Sequence, residues 1–241
     1  PIPNTPLPIV AITTTAGTGS ETDSAGVITK EDTYEKAFIG APSLYPCLAV
    51  VDSELMLSVP AGFTAFQGFD ALFHSIEGYI ANGANLMSDM YALTAIENLA
   101  KYLPRAVQDG NDLEARTHVA FGNTLSGVVM CLTLITSEHG MEHALSAYHP
   151  NLPHGAGLIM ISRAYFSYFV HNHACDERFI RMARAMGMPD ADKPEDFITA
   201  LTRLQEACGV ADLKMSDYGI YFNEAEKFMR NAREVMGVMF T

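Results

Sequence analysis

The 241-residue sequence has no tryptophan, only 15 lysine and arginine residues, and no cysteine pair in a C-x-x-C spacing. Against 28 acidic residues, the few basic ones leave a formal net charge of −13. This charge argues against a nucleic-acid partner, because phosphate binding requires a basic surface. The missing C-x-x-C pair removes the commonest signal of a cysteine zinc site or of a dithiol redox site.

Long, clean apolar runs and a signal-peptide pattern are also lacking, so a membrane protein or a secreted protein is not expected. The four cysteines, Cys47, Cys131, Cys175 and Cys208, are widely separated. Such scattering favours reduced, mostly buried thiols in a cytoplasmic protein. Because the chain opens on Pro1 without an initiator methionine and closes on an apolar tail, it is expected to be a piece of a longer protein.

The hydrophobic content of 49% is enough for a large core and rules out a disordered chain. Residues 1–56 alternate short β-branched segments with turns, which predicts strands. From about residue 57 the apolar positions follow the helical period instead. The sequence therefore predicts a mainly α protein, in which a helical bundle from residue 57 onward packs against a partial sheet.

Several local signals predict helix boundaries. Thr64-Ala-Phe-Gln67 has the pattern of a capping box at the start of a helix that carries Asp70. Pro104 is expected to end the following helix. Residues 119–135 are apolar almost all round, which predicts a central buried helix.

Four of the eight histidines fall between His139 and Gly155. His139 and His143 are four residues apart, so both imidazoles should lie on one side of a helix. Pro153-His154-Gly155 predicts a turn that presents His154 back toward that helix. Upstream, Asp70 and His74 repeat the same spacing on a second predicted helix. One carboxylate and several imidazoles on separate elements indicate a divalent-metal site.

Simpler interpretations remain open for each motif taken alone. A histidine on a helix is usually solvated or hydrogen-bonded, and an aspartate four residues before a histidine often only supports the helix. The Thr14–Glu21 loop has small residues whose backbone could approach a phosphate. However, its Gly17-Thr-Gly19 segment matches neither the dinucleotide fingerprint nor the P-loop, and could be an ordinary turn.

Taken together and in order, the Thr14–Glu21, Gly68–Glu77, His139–His143 and Pro153–Gly155 segments resemble the iron-containing (group III) alcohol dehydrogenases. The resemblance implies that the metal ligands are Asp70, His74, His139 and His154, and that His143 is a catalytic, non-ligand histidine near the nicotinamide. It also implies that Thr14, Thr15 and Thr18 contact the dinucleotide and that Lys36 reaches its ribose.

By the same resemblance the fold is dehydroquinate synthase-like. Residues 1–56 would be the remaining edge of an α/β NAD-binding domain, and residues 57–241 an all-helical, metal-binding catalytic domain. The family's Gly-Gly-Gly-Ser pyrophosphate loop has no counterpart in this sequence. Most of the nucleotide-binding domain is therefore expected to be missing from the chain.

The expected function is a metal-dependent oxidoreductase that interconverts alcohols and aldehydes or ketones by hydride transfer to or from NAD(P). Fe(II) is the expected ion, and Zn(II) is the other candidate, since three imidazoles and a carboxylate suit both. The expected partners are a small alcohol or aldehyde and further copies of the chain. Two alternatives remain: a dehydroquinate-synthase-like lyase using NAD and zinc, and a helical metal-binding domain without catalysis. The lyase would need basic residues for phosphate around the metal, and the motif segments carry almost none.

Overall fold

Strands come first along the chain and helices follow. The computed structural model describes residues 6–240, and within this range no strand follows Val51. The strands are β1 (Val10–Thr13), β2 (Ala25–Lys30), β3 (Glu35–Gly40) and β4 (Leu48–Val51). The helices are α1 (Ala61–Ile80), α2 (Leu86–Gln108), α3 (Leu113–Thr133), α4 (Ser137–Tyr148), α5 (His154–His171), α6 (Asp176–Ala185), α7 (Glu195–Ala207) and α8 (Ala225–Val235). The predicted mainly α class is confirmed, whereas the domain boundary at residue 57 stays a prediction.

The four strands form two separate pairs. Strands β1 and β4 run parallel, with Val10 opposite Leu48 and Thr13 opposite Val51. Strands β2 and β3 form an antiparallel hairpin. Several apolar side chains of the parallel pair are exposed, among them Ile12 and Leu48. The hairpin instead contacts α4 and α8.

Helix α1 is the central element of the helical part, and it contacts α2, α3 and α5. Apolar side chains lie on nearly every face of α1. Four of the large ones are fully buried: Phe69, Leu72, Phe73 and Ile76. Burial of each such side chain contributes about 1.5–3 kcal/mol to folding. Phe73 also stacks on Phe166 of α5, with ring centroids 6.0 Å apart. Polar residues on α1 are therefore held inside a rigid apolar frame.

The predicted end of α2 at Pro104 is wrong, because the helix continues to Gln108. A proline inside a helix removes one hydrogen bond and crowds the carbonyl group four residues earlier, but the flanking turns can keep their hydrogen bonds. Leu103 and Ala106, on either side of Pro104, are fully buried. Packing against α1 and α3 thus outweighs the local preference of proline.

The predicted start of α1 at Thr64 is also wrong, since the helix begins at Ala61 after Pro60. Proline suits this position because its fixed φ, here −60°, precedes the helix without needing a donor. The Thr64 hydroxyl donates to the carbonyl of Val59 at 3.2 Å instead of capping the helix. The Thr-x-x-Gln pattern therefore lies one turn inside α1.

A buried arginine joins the start of α1 to the connection between α2 and α3. The Arg116 side chain donates from Nε to the Gly110 carbonyl at 3.0 Å and from Nη2 to the Val59 carbonyl at 2.9 Å. Its Nη1 donates to the Thr64 hydroxyl at 2.7 Å. Burial lowers the pKa of Arg116 from its ordinary value. The Arg116 guanidinium group thereby donates hydrogen bonds to acceptors in three segments of the chain.

The cysteines are only partly as predicted. All four are free, but Cys47 and Cys131 are exposed, Cys175 is half-buried and only Cys208 is buried. The expectation of mostly buried thiols is therefore wrong. Cys131 lies on an outward face of α3, which is less enclosed than its apolar sequence suggested.

Within residues 6–240 no single helix has the length and apolar character needed to cross a membrane. Helices α3 and α4 meet these criteria only when taken together, and the chain bends by 108° between them.

Candidate metal centre

Three histidines present the same ring nitrogen to one oxygen of Asp70. Asp70 Oδ1 lies 3.2 Å from Nε2 of His139, 3.6 Å from Nε2 of His74 and 3.6 Å from Nε2 of His154. Asp70 and His74 come from the middle of α1, whereas His139 and His154 come from the first turns of α4 and α5. The four predicted ligands therefore converge from three helices.

The hydrogen bonds behind two of these rings decide which nitrogen faces the centre. His139 Nδ1 lies 2.8 Å from Oε2 of Glu77, and His154 Nδ1 contacts Oε2 of Glu142. A carboxylate can only accept, so each Nδ1 is the donor. In a neutral imidazole the other nitrogen, Nε2, then carries a lone pair. When a cation displaces the proton on Nε2, two such lone pairs and the Asp70 carboxylate are the acceptors that it finds.

The charges of the centre also call for a cation. Burial opposes ionisation of Asp70, but the surrounding imidazoles of His74, His139 and His154 hold its pKa well below the ordinary value. Burial would likewise lower the pKa of His139, yet the charges of Glu77 and Asp70 raise it to about 10. A proton on His139 can thus supply positive charge between Asp70 and Glu77. Ligand atoms of Asp70, His139 and His154 lie within 4.8 Å of one another, which fits a divalent ion. His74 is outside this group, although its Nε2 lies 3.6 Å from Asp70 Oδ1.

His154 is not in a turn, as the sequence predicted, but is the first residue of α5, after Pro153 at the N-cap. The local signal is the same in both cases, because proline before a helix is as common as proline in a turn. Gly155 allows this placement. A Cβ atom at Gly155 would collide with the backbone carbonyl of Phe66 on α1. The close approach of α5 to α1 brings His154 to Asp70.

We expect Gly155→Ala to displace the start of α5, to destabilise the fold by about 1–3 kcal/mol and to weaken metal binding. The reason is that the added methyl group meets backbone, which cannot rotate away. Thermal unfolding and metal titration of the variant test this. The matched control is Gly62→Ala, also on a helix, where a Cβ meets nothing within 4 Å. That control should keep metal affinity and gain up to about 1 kcal/mol, and equal behaviour of the two variants would contradict the explanation.

His143 lies one turn after His139 on α4 but faces a different neighbour. Its Nδ1 donates to the backbone carbonyl of Lys36 at 3.2 Å, and its ring lies 5.4 Å from that of His154. Burial and the positive charge of Lys36 lower the pKa of His143 to about 3. The imidazole is therefore neutral at physiological pH. Its Nε2 is the acceptor nitrogen.

The Lys36 ammonium group lies beside the centre. Its Nζ donates to the Ser146 hydroxyl at 2.8 Å and lies 3.3 Å from both Oε2 of Glu142 and Nδ1 of His154. Its side chain is only 15% exposed. The hairpin that carries Lys36 is therefore connected to α4 by charge. The predicted contact of Lys36 with a ribose stays a prediction.

The Thr14–Glu21 loop lies over the centre and exposes its threonines. Thr14, Thr15 and Thr18 are exposed, whereas Gly17 is buried so close to α1 that a Cβ there would lie 3.1 Å from Oδ2 of Asp70. The loop and the carboxylate are thus immediate neighbours. The predicted dinucleotide contacts of these threonines stay predictions.

Helix α3 holds this loop in place. The Gly19 amide donates to Oδ1 of Asn123 at 2.9 Å, and the buried Glu21 accepts from the Thr124 hydroxyl at 2.7 Å. Gly19 has a φ of +61°, and a Cβ there would lie 2.6 Å from Cα of Gly127. Only glycine combines that backbone angle with so close a helix contact.

Comparison with known proteins identifies the arrangement. The model of the Fe-containing alcohol dehydrogenase family, C-terminal, matches residues 64–238, and the model of iron-containing alcohol dehydrogenase matches residues 1–53. The chain belongs to the iron-containing alcohol dehydrogenase family. The resemblance inferred from the four motifs is confirmed.

Two relatives that the chain resembles are considerably longer than the chain itself. It is 33% identical to the NAD-dependent methanol dehydrogenase of Bacillus methanolicus, over 95% of this chain and 60% of that protein. It is 33% identical to the 1,3-propanediol dehydrogenase of Klebsiella pneumoniae, over 88% of this chain and 55% of that protein. The chain therefore spans a little over half the length of these relatives.

Solved structures of the same family confirm the fold. A 1,3-propanediol oxidoreductase structure superposes with a TM-score of 0.89 at 31% identity, covering 97% of this chain and 61% of that one. An archaeal halo-thermophilic alcohol dehydrogenase from a Red Sea brine pool gives the same TM-score and identity, over 96% and 59%.

Sequence reasoning missed the two carboxylates that orient the histidines of this family member. Glu77 lies seven residues after Asp70, which is two helical turns, so helical spacing could have placed it on the same face. Glu142 precedes His143 and had no such signal. Its role depends on the approach of α5 and of the hairpin to α4, which no local pattern encodes.

Proposed function

We propose that the chain holds the metal centre of a dehydrogenase that interconverts small alcohols and aldehydes or ketones by hydride transfer to or from NAD(P). Asp70, His74, His139 and His154 are the proposed ligands. The observation that carries the proposal is the convergence of three Nε2 atoms on Asp70 Oδ1. Relatives named as methanol and 1,3-propanediol dehydrogenases support the substrate class.

Fe(II) is the proposed ion, with Zn(II) as the competing one. Imidazole and carboxylate donors bind both, and the family name favours iron. When bound, such an ion supplies Lewis acidity toward an alcohol or carbonyl oxygen. The protein's own contribution is to exclude water from this side of the ion, since Asp70 and His139 are 5% and 2% exposed.

His143 is the proposed proton relay. Because its Nδ1 donates to the Lys36 carbonyl, its Nε2 is the acceptor nitrogen, and its pKa of about 3 means that a proton taken from an alcohol would be passed on to solvent rather than kept. The exposed threonines of the Thr14–Glu21 loop are proposed to hold the dinucleotide. Because Gly17 of the same loop lies beside Asp70, a dinucleotide held by the loop would lie close to the metal centre.

A cytoplasmic location and a homo-oligomeric state complete the proposal. The free cysteines agree with a reducing compartment. The similarity to an NAD-dependent methanol dehydrogenase favours NAD over NADP as the cofactor.

We expect His143→Ala, in the full-length protein, to retain the metal and to lower kcat by roughly a hundredfold. The reason is that His143 is placed to move a proton rather than to bind the ion. Elemental analysis and NADH formation on short alcohols and diols measure the two effects. Metal loss confined to this variant would show that His143 is a ligand.

Thr18→Ala is the comparison variant for the cofactor side. It should raise the Michaelis constant for NAD while metal content is unchanged, because its hydroxyl is exposed and hydrogen-bonds Ser20 of the same loop. Unchanged NAD affinity together with lost metal would assign the loop to the metal site. Full metal content without NADH formation on any substrate would favour a non-catalytic metal-binding domain.

A further inference from the structure

Glu142 is a fully buried carboxylate that lies behind His154. Its Oε2 contacts Nδ1 of His154 and lies 3.3 Å from Nζ of Lys36. Its other oxygen, Oε1, has no hydrogen-bond partner within the described part of the chain. Burying a carboxylate costs several kcal/mol unless its charge is compensated. Burial of the Glu142 carboxylate therefore costs free energy of folding, although this carboxylate does not itself face Asp70.

We propose that Glu142 is a positioning residue for His154: it accepts the Nδ1 proton and thereby keeps the Nε2 lone pair directed at Asp70. The inference rests on the proposed function, because the orientation matters only if a cation binds at Asp70. A carboxylate behind a ligand imidazole fixes its tautomer and its ring orientation. Glu77 holds His139 in the same way from α1.

Lys36 holds the Glu142 carboxylate in place. Its ammonium group lies 3.3 Å from Oε2 and is itself fixed by the Ser146 hydroxyl at 2.8 Å. Lys36 belongs to β3, so the geometry of a ligand on α5 depends on a strand hairpin.

The test is a titration of the purified chain with Co(II), followed by the visible absorption of the bound ion. We expect Glu142→Ala to weaken Co(II) binding by about 10- to 100-fold and to alter the cobalt spectrum. Glu142→Gln should restore most of the affinity, since its amide oxygen can still accept from Nδ1. Lys36→Met should weaken binding by about tenfold.

The matched control is Glu224→Ala. Glu224 also pairs with a histidine, His149, at 3.2 Å, but away from Asp70. This variant should bind Co(II) with wild-type affinity and spectrum. A loss of the same size in the control would overturn the inference, because any missing carboxylate–histidine pair would then have the same effect.

The remaining outcomes separate the inference from the proposed function. If wild type binds one Co(II) and Glu142→Ala binds it equally well, Glu142 does not position His154, while the metal centre stands. If the wild-type chain binds no Co(II), the proposed metal centre is contradicted, and with it both the proposed function and the role of Glu142. If the alanine variant does not fold, Lys36→Met decides, and unchanged affinity there overturns the inference.

Discussion

Asp70→Asn is expected to abolish metal retention. The substitution keeps the shape of the side chain but removes the charge on which three Nε2 atoms converge. Loss of one partner of a buried charge pair costs about 3–5 kcal/mol, which corresponds to a loss of affinity of roughly a hundredfold to several thousandfold. Elemental analysis after dialysis, followed by metal titration, measures the effect.

Asp89→Asn is the matched control, since Asp89 is also a helical aspartate, half-buried and paired with Arg178 at 2.8 Å. It should retain the metal in full. His74→Ala, His139→Ala and His154→Ala are expected to lose metal as Asp70→Asn does. Full occupancy in any of these histidine variants would show that the ligand set is wrong.

Arg116→Met is expected to lower the free energy of unfolding by about 3–5 kcal/mol, the range for breaking a buried polar network. Methionine occupies similar space but removes the donors to the Gly110 carbonyl and the Thr64 hydroxyl, and one of the two donors to the Val59 carbonyl. Each buried unpaired acceptor costs about 1–3 kcal/mol. Chemical denaturation with a fitted midpoint measures the loss.

Arg105→Met is the control for this substitution. Arg105 is 43% exposed, pairs with Asp112 and Glu114 at the surface, and lies over the Tyr102 ring. Solvent screens such surface pairs, so the control should unfold close to wild type. Equal losses in the two variants would mean that the effect comes from removing a charge rather than from the buried hydrogen bonds of Arg116.

The sequence was informative where a local pattern and the tertiary environment agree. Helix α1 is apolar on nearly every face, and it is buried accordingly, with Asp70 and His74 one turn apart on it. The four motifs and their order along the chain are specific enough to indicate the family. The proposed roles of the individual residues still depend on the metal and cofactor experiments.

The errors arose where a local signal has two structural solutions. Pro153 precedes a helix instead of a turn, and Pro104 lies inside a helix instead of ending it. Packing decides between these solutions, and packing depends on residues far away in the chain. Glu142 illustrates the same limit, since its partners come from β3 and α5.

The distances along the chain between contacting residues also bear on how the protein folds. Helices α1, α2 and α3 follow one another and make extensive neighbouring contacts. The centre joins residues much further apart: 69 positions separate Asp70 from His139, 104 separate Gly19 from Asn123 and 118 separate Lys36 from His154. Closing such large loops costs entropy before any contact compensates it. The core of α1, α2 and α3 should therefore form early in folding, and the metal centre should form late. Metal added during refolding should then bind a chain that is already almost fully folded.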